Sequence, residues 1–311
     1  MYNYTTFTVK SFQTGDFIMY PKKLKKGNPF SYSYTDDGRI VRCFTQKNYS
    51  IGMHMQDFFE INIITNGEGM HYIEDSRLQV SSGDVFVIPP KISHGYYGSA
   101  GFDVCHILIS NSFMEKYMAD LQLLPSFYHL FNAEPLLRKV SQSPLHLTLS
   151  KSEFLKASQL TDALCTASAA PINSTSFVNA NSLAMLLISY LCELYEIKSP
   201  STSKDTEDID FMNALATIHR NYNHKITIEE LAKTAHLSRS TFIRKFNNIC
   251  KMSPARYITL TRLDAAKQIL SSTALSIEET AQRCGFYDTS HFVKVFTAEF
   301  RISPGNYRKK K

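Results

Sequence analysis

A unit of about fifty residues occurs twice in the last third of this 311-residue chain. No other feature restricts its fold as strongly. Phe242, Phe246, Ser253-Pro254 and Tyr257 return as Phe292, Phe296, Ser303-Pro304 and Tyr307. Upstream, Ile228-Glu229-Glu230-Leu231-Ala232 is echoed by Ile277-Glu278-Glu279-Thr280-Ala281. Phenylalanines four apart lie on one side of a helix and must be packed inward. An α-solenoid also repeats, but needs more than two units to bury its faces.

Each copy reads as a short helix, a tight turn and a second helix. Thr227 and Ser276 stand at N-cap positions, just ahead of glutamates that suit the positive end of the helix dipole. The turns fall around His236-Leu237-Ser238 and around Cys284-Gly285-Phe286, where glycine makes a positive φ cheap. This is the outline of a helix-turn-helix. A helical wheel turns Phe242, Phe246 and Ile249 inward and leaves Ser240, Arg244, Asn247 and Lys251 outside. In the second copy Phe292 and Phe296 turn inward, opposite Ser290, Lys294, Thr297 and Arg301, with Glu299 off to the side. Small hydroxyls permit close approach to a groove floor, and Arg and Lys reach guanine edges or phosphates. Double-stranded DNA is the expected partner.

The length suits two domains. A net charge of +6 is compatible with nucleic acid without deciding for it. The six cysteines form no C-x-x-C pair, which argues for reduced thiols and against a zinc knuckle or disulfide framework. MYNYTTFTVKSF has no signal-peptide profile, and LAMLLISYLCELY from Leu183 is short for a span and contains Glu193. A cytoplasmic protein with no membrane partner is expected.

Up to about residue 110 the period is two. Phe59, Ile61 and Ile63 alternate with Glu60 and Asn62, and Asn66-Gly67-Glu68-Gly69 and Ser82-Gly83-Asp84 supply turns. Short strands with glycine turns predict an antiparallel sandwich or barrel. From about residue 150 the spacing predicts helices over 152–168 and 176–197, the second striped by Leu183, Leu187, Tyr190 and Leu194. KSPSTSKDTED reads as a linker. The expected fold is α+β in two domains. A β-barrel spans 1–150, a helical dimerisation segment 151–200, a linker 201–208 and an all-α DNA-binding domain 209–311.

LSIEETAQRCGFYDTSHFVKVFTAEFRISPGNYR closely resembles the C-terminal signature of the AraC/XylS family of bacterial transcription regulators. The resemblance covers roughly 209–308 and rests on Gly285-Phe286, Phe292, Phe296, Phe300, Ser303-Pro304 and Tyr307-Arg308. It implies two helix-turn-helix units joined by a long helix at 254–271, with recognition helices in successive major grooves. Matching positions put Ser240, Thr241 and Arg244, then Thr289, Ser290, His291 and Lys294, at the DNA. It also implies an activator working with RNA polymerase, as a homodimer whose seam is the helices at 152–197.

The strand-rich half resembles the cupin-like sensor domain of that family. Gly52, His54 and Glu60, then Gly83-Asp84, Pro89 and His94, fit the cupin pattern, but Gln56 stands where a second metal-binding histidine belongs. An amide oxygen is a neutral, weaker donor, so neither metal nor cofactor is expected. The resemblance implies a small-molecule effector, a sugar or related metabolite, with Arg39, His54, Glu60, Tyr72 and His94 as candidate contacts. A fatty-acid-type effector and a barrel that only dimerises stay open. A cupin metalloenzyme fused to a DNA-binding half is disfavoured by the broken ligand set. Lys22-Lys23-Leu24-Lys25-Lys26 reads as a solvated loop that can touch DNA or cover the pocket. No Walker loop, G-x-S-x-G or H-E-x-x-H occurs, and no catalytic residue is assigned.

Overall fold

The computed structural model describes residues 7–8, 30–34, 37–74, 76–124, 126–138, 145–198 and 206–309. The lysine cluster at 22–26 lies outside these residues. The chain divides into two compact units, Met1–Pro200 and Ser201–Lys311.

The first unit is a sandwich of two sheets. One contains β1 (Phe7–Thr8), β2 (Phe30–Ser33), β4 (Ser50–Gln56), β9 (His94–Gly98), β6 (Glu68–Ile73) and β7 (Ser76–Ser81), in that spatial order. The other runs β11 (Leu147–Thr148), β8 (Asp84–Ile88), β5 (Phe59–Asn66), β10 (Asp103–Ile109) and β3 (Val41–Gln46). Pairing is antiparallel except where β2 joins β1 and β4 in parallel, which departs from the purely antiparallel expectation. Ile51, Ile64, Phe86, Ile88, Tyr96, Phe102 and Val104 fill one part of the space between the sheets. The expected glycine turns are present. Gly67 has φ +75° between β5 and β6, and a Cβ there would meet the Gly101 carbonyl oxygen at 2.6 Å.

The period-two reading of β5 holds, and its polar residues take the inner face. Ladder partners place Glu60 opposite Ile88 and Asn62 opposite Phe86, on the face turned into the sandwich. Ile61 and Ile63 turn outward yet are equally buried, because helices cover that face. These are α1 (Asn111–Leu121), a π-helical turn at His129–Ala133 leading into α2 (Glu134–Leu137), α3 (Lys151–Ala169) and α4 (Ser174–Lys198). Ser150 and Glu153 close α3 with a reciprocal capping box. At 25 residues, α4 is long and apolar enough to cross a bilayer, contrary to the expectation from its sequence, but half of its most apolar stretch is buried in this unit.

The second unit is helical throughout: α5 (Thr206–Asn221), α6 (Ile228–Thr234), α7 (Arg239–Cys250), α8 (Pro254–Ser272), α9 (Ile277–Arg283), α10 (Thr289–Phe300) and α11 (Pro304–Lys309). The linker expected at 201–208 is corrected at its end. Thr206, Glu207 and Asp208 form the first turn of α5, where the acids suit the dipole and also receive Lys245 at 2.9 Å each.

Candidate functional site

Two sites are built, one in each unit. In the second unit Thr227 accepts the Glu230 amide at 3.2 Å and Glu230 accepts the Thr227 amide at 2.9 Å. Ser276 and Glu279 do the same for α9, at 3.0 and 2.7 Å. The turns pass through His236 at φ +50° and Gly285 at φ +79°. Phe242 and Phe246 are fully buried, 5.8 and 5.7 Å from the Phe211 ring of α5, and Phe246 meets Tyr257 at 5.4 Å. Phe292 and Phe296 are fully buried too, against Phe286 at 5.1 Å and Tyr307 at 5.7 Å. Leu263, Ala266 and Leu270 of α8 complete that second core. With the aromatic faces buried, α7 leaves Ser240, Arg244 and Asn247 exposed, and α10 leaves Ser290, His291 and Lys294 exposed. These are two basic, hydroxyl-bearing helix faces, the arrangement that reads a major groove.

In the first unit the polar side chains gather between the sheets. His54 and His94 face each other across the β4–β9 ladder, ring centroids 4.2 Å apart. His106 of β10 contacts Glu60 Oε1 through Nδ1 at 2.7 Å, and His94 Nε2 lies 3.4 Å from Glu60 Oε2. His71 stacks on Tyr96 at 4.1 Å, and the Asn62 amide donates to the Tyr96 hydroxyl at 3.3 Å. Burial raises the Glu60 carboxyl, but the hydrogen bond from His106 and the nearby His94 ring outweigh it and hold the pKa well below the usual range. Burial, reinforced by His94, lowers His54 to about 3, and burial also lowers His71 well below its ordinary value, so both are neutral at pH 7. Both nitrogens of His71, Nε2 of His94 and His106, Oε1 of Gln56 and Oδ1 of Asn62 are buried without a hydrogen-bond partner.

A model of the AraC-like ligand binding domain matches residues 39–164, and one of a helix-turn-helix domain matches 231–310. The chain belongs to the AraC family. It is 26% identical over 272 residues to the Msm operon regulatory protein of Streptococcus mutans, spanning 85% of this chain and 88% of that one. It is 25% identical over 258 residues to the HTH-type transcriptional activator RhaS of Enterobacter sp. strain 638, spanning 82% and 86%. The crystallised DNA-binding domain of AdpA, in complex with a target DNA, is 27% identical over 32% of this chain and 91% of its own, with a TM-score of 0.32.

The residues expected at the DNA of this AraC-family chain fall on two exposed faces, with two corrections. Lys251 and Arg301 lie past the last helical turn. Each caps its helix in a left-handed conformation, φ +54° and +57°, so a wheel at 100° per residue no longer describes it. Thr241 and Thr289 are half-buried, and the Thr241 hydroxyl accepts a hydrogen bond from Ser238 at 2.9 Å. Glu299, read as lying aside, is paired with Arg256 of α8.

Among the effector candidates, His54, Glu60 and His94 come together and two others do not. Tyr72 pairs with Gly95 on the outer side of its sheet and packs on Tyr97, because its neighbour His71 takes the inward position. Arg39 donates to the Ser168 and Ala170 carbonyls at 2.8 and 2.9 Å and clamps the end of α3. Sequence reasoning missed His71, Asn62, Tyr96 and His106; the alternation that put Glu60 inside implied Asn62 as well. It also missed Tyr287, which is fully exposed. Aligning the copies finds it: Gly285 follows His236 by 49 residues and Asp288 follows Ser238 by 50, so the second turn is one residue longer.

The cupin pattern raises the question of a metal at His54, Glu60 and His94, whose donor atoms lie within 4.8 Å of one another. The fit is poor. Glu60 is engaged by His106 on one oxygen and lies beside His94 and the Gln56 amide on the other, so it is held as a hydrogen-bond acceptor.

Proposed function

We propose that this AraC-family regulator is a transcription activator that binds double-stranded DNA through α7 and α10 and is controlled by a small polyhydroxylated effector, a sugar or related metabolite, held between the two sheets. The observation that carries the effector class is the set of buried polar atoms without partners around Glu60. Each costs about 1–3 kcal/mol if it stays unpaired. The set mixes amide oxygens with imidazole nitrogens, which donate or accept according to tautomer, and a polyol supplies both complements. A fatty acid needs a cation for its carboxylate; Arg42 is paired with Asp37 at 2.6 Å and Arg138 with Glu134, and each keeps one buried N–H without a partner, so the fatty-acid arm of the test is decisive.

The expected DNA contacts are Ser240, Thr241, Arg244, Asn247, Thr289, Ser290, His291 and Lys294. The protein is expected to act as a cytoplasmic homodimer and to recruit RNA polymerase. Leu155, Val178 and Leu186 stay exposed on α3 and α4, which supports those helices as the dimer seam. An effector that prefers one arrangement of the DNA-binding units shifts the population toward it.

The test is thermal shift and calorimetry of the full chain against sugars, polyols and fatty acids, beside Asn62→Ala and His71→Ala. A sugar that raises the midpoint of the wild type and not of the variants is the expected result. A fatty acid that binds where no sugar does would replace this effector class.

A further inference from the structure

The face of the five-stranded sheet turned away from the polar interior carries a second cluster. Cys43 on β3 and Cys105 on β10 project from that face, and Cys165, in the last turns of α3, descends onto them. The Cys43 and Cys165 sulfurs are 2.7 Å apart, those of Cys43 and Cys105 are 3.7 Å apart, and all three lie within 4.8 Å of one another. All are free thiols. The Thr161 carbonyl oxygen lies 3.6 Å from the Cys43 sulfur. Cys43 and Cys105 are buried, whereas Cys165 is partly exposed and offers a way in.

We propose that Cys43, Cys105 and Cys165 form a three-thiolate site for a thiophilic closed-shell cation of the Zn2+ or Cu+ type. A disulfide would use two of these sulfurs and leave the convergence of the third unexplained, while a metal uses all three. Sulfur-only donor sets select soft and borderline cations. With metal–sulfur bonds of about 2.3 Å, the sulfurs of such a site stand about 4 Å apart. Cys43 and Cys105 already approach that spacing, and Cys165 completes it by withdrawing about 1 Å from Cys43. The setting also favours a cation over bare thiolates, because Cys165 lies near the C-terminal, negative end of the α3 dipole. Capture exchanges thiol protons for the cation and transfers no electrons. It ties α3 to β3 and β10 directly behind the effector site, since Cys105 and His106 are consecutive residues on opposite faces of β10.

The experiment uses the reduced, desalted full-length protein, titrated with Cd2+ as a spectroscopic probe and with Zn2+ in competition. One equivalent should generate a thiolate-to-metal charge-transfer band and protect Cys165 from alkylation. The band should be lost in Cys105→Ser and in Cys165→Ser, and retained in His94→Ala, which removes a donor of the other cluster. Absence of a thiolate band in the wild type overturns the proposal, whatever the variants do. So does a band that survives Cys105→Ser, or a Cys43–Cys165 disulfide formed in air by protein that captures no metal.

Discussion

The two helix-turn-helix copies share their caps, their inward phenylalanines and their Ser-Pro helix starts, yet rest on different supports. The first packs Phe242 and Phe246 onto Phe211 of α5, the helix before it. The second packs Phe292 and Phe296 beside Leu263, Ala266 and Leu270 of α8, the helix between the copies. Their turns differ as well. His236 takes a left-handed conformation in an exposed position. Gly285 lies so close to the segment leaving α5 that a Cβ would meet the Tyr222 carbonyl oxygen at 2.7 Å. Arg262 of α8 donates to that same oxygen at 2.7 Å and to the His224 carbonyl at 2.9 Å. The second copy is therefore fastened to the first at its turn. The helix faces persist between copies, and the means of holding them do not.

If the two cores are equivalent, Phe246→Ala and Phe292→Ala should each destabilise the second unit by about 3–5 kcal/mol. Denaturant melts that lose much less in one variant would show that copy's core to be dispensable. The turns should then separate the copies. Gly285→Ala forces a Cβ against backbone at positive φ and should cost about 1–3 kcal/mol. His236→Gly relieves a left-handed side chain and should be neutral or stabilise by up to about 1 kcal/mol. Equal effects at the two turns would erase the distinction.

On DNA the copies can be weighed separately. Arg244→Ala and Lys294→Ala should each leave the melting temperature unchanged and weaken duplex binding by about 1–3 kcal/mol if a base contact is lost. If one residue touches only phosphate, its loss instead flattens the dependence on salt by about one unit of slope. Fluorescence anisotropy at several salt concentrations distinguishes the cases.

The smallest effect is a pH dependence confined to the first copy. His219 of α5 lies 2.9 Å from the Tyr257 hydroxyl, and burial lowers its pKa from 6.5 to about 4. The unfolded chain then binds a proton that the folded one refuses, so stability falls as pH drops from about 6.5 toward 4. At pH 6 the loss should be under about 1 kcal/mol. His219→Gln should remove that part of the slope while leaving Phe292-dependent stability untouched.

How much of this was legible follows from which signals are local. Caps, turns and inward phenylalanines lie within one or two helical turns of each other, so periodicity found both recognition helices. It failed at Lys251 and Arg301, where the chain leaves the helix by a left-handed residue that carries a side chain rather than by a glycine. In the sandwich the period of β5 and the inward place of Glu60 were legible, but the partners that gather around Glu60 were not. Both faces are buried, and the one turned into the sandwich is the polar one, carrying Glu60 and Asn62. Tyr72 was misplaced because strand alternation seats His71 inside. The cysteines were read as isolated thiols since their meeting is non-local: 62 residues separate Cys43 from Cys105 and 122 separate it from Cys165.

The 19-residue α8 joins the end of the first copy to the start of the second without a flexible residue between its caps. At 1.5 Å per residue it is about 28 Å long, of the order of one turn of duplex. Such a rod fixes a phase as well as a distance. One residue added within α8 rotates everything beyond it by about 100° and advances it by only 1.5 Å. The two reading faces would then be out of step with the groove while almost unchanged in separation. The chain between the copies is thus geared to the pitch of its target, and its length is tolerant only in whole turns.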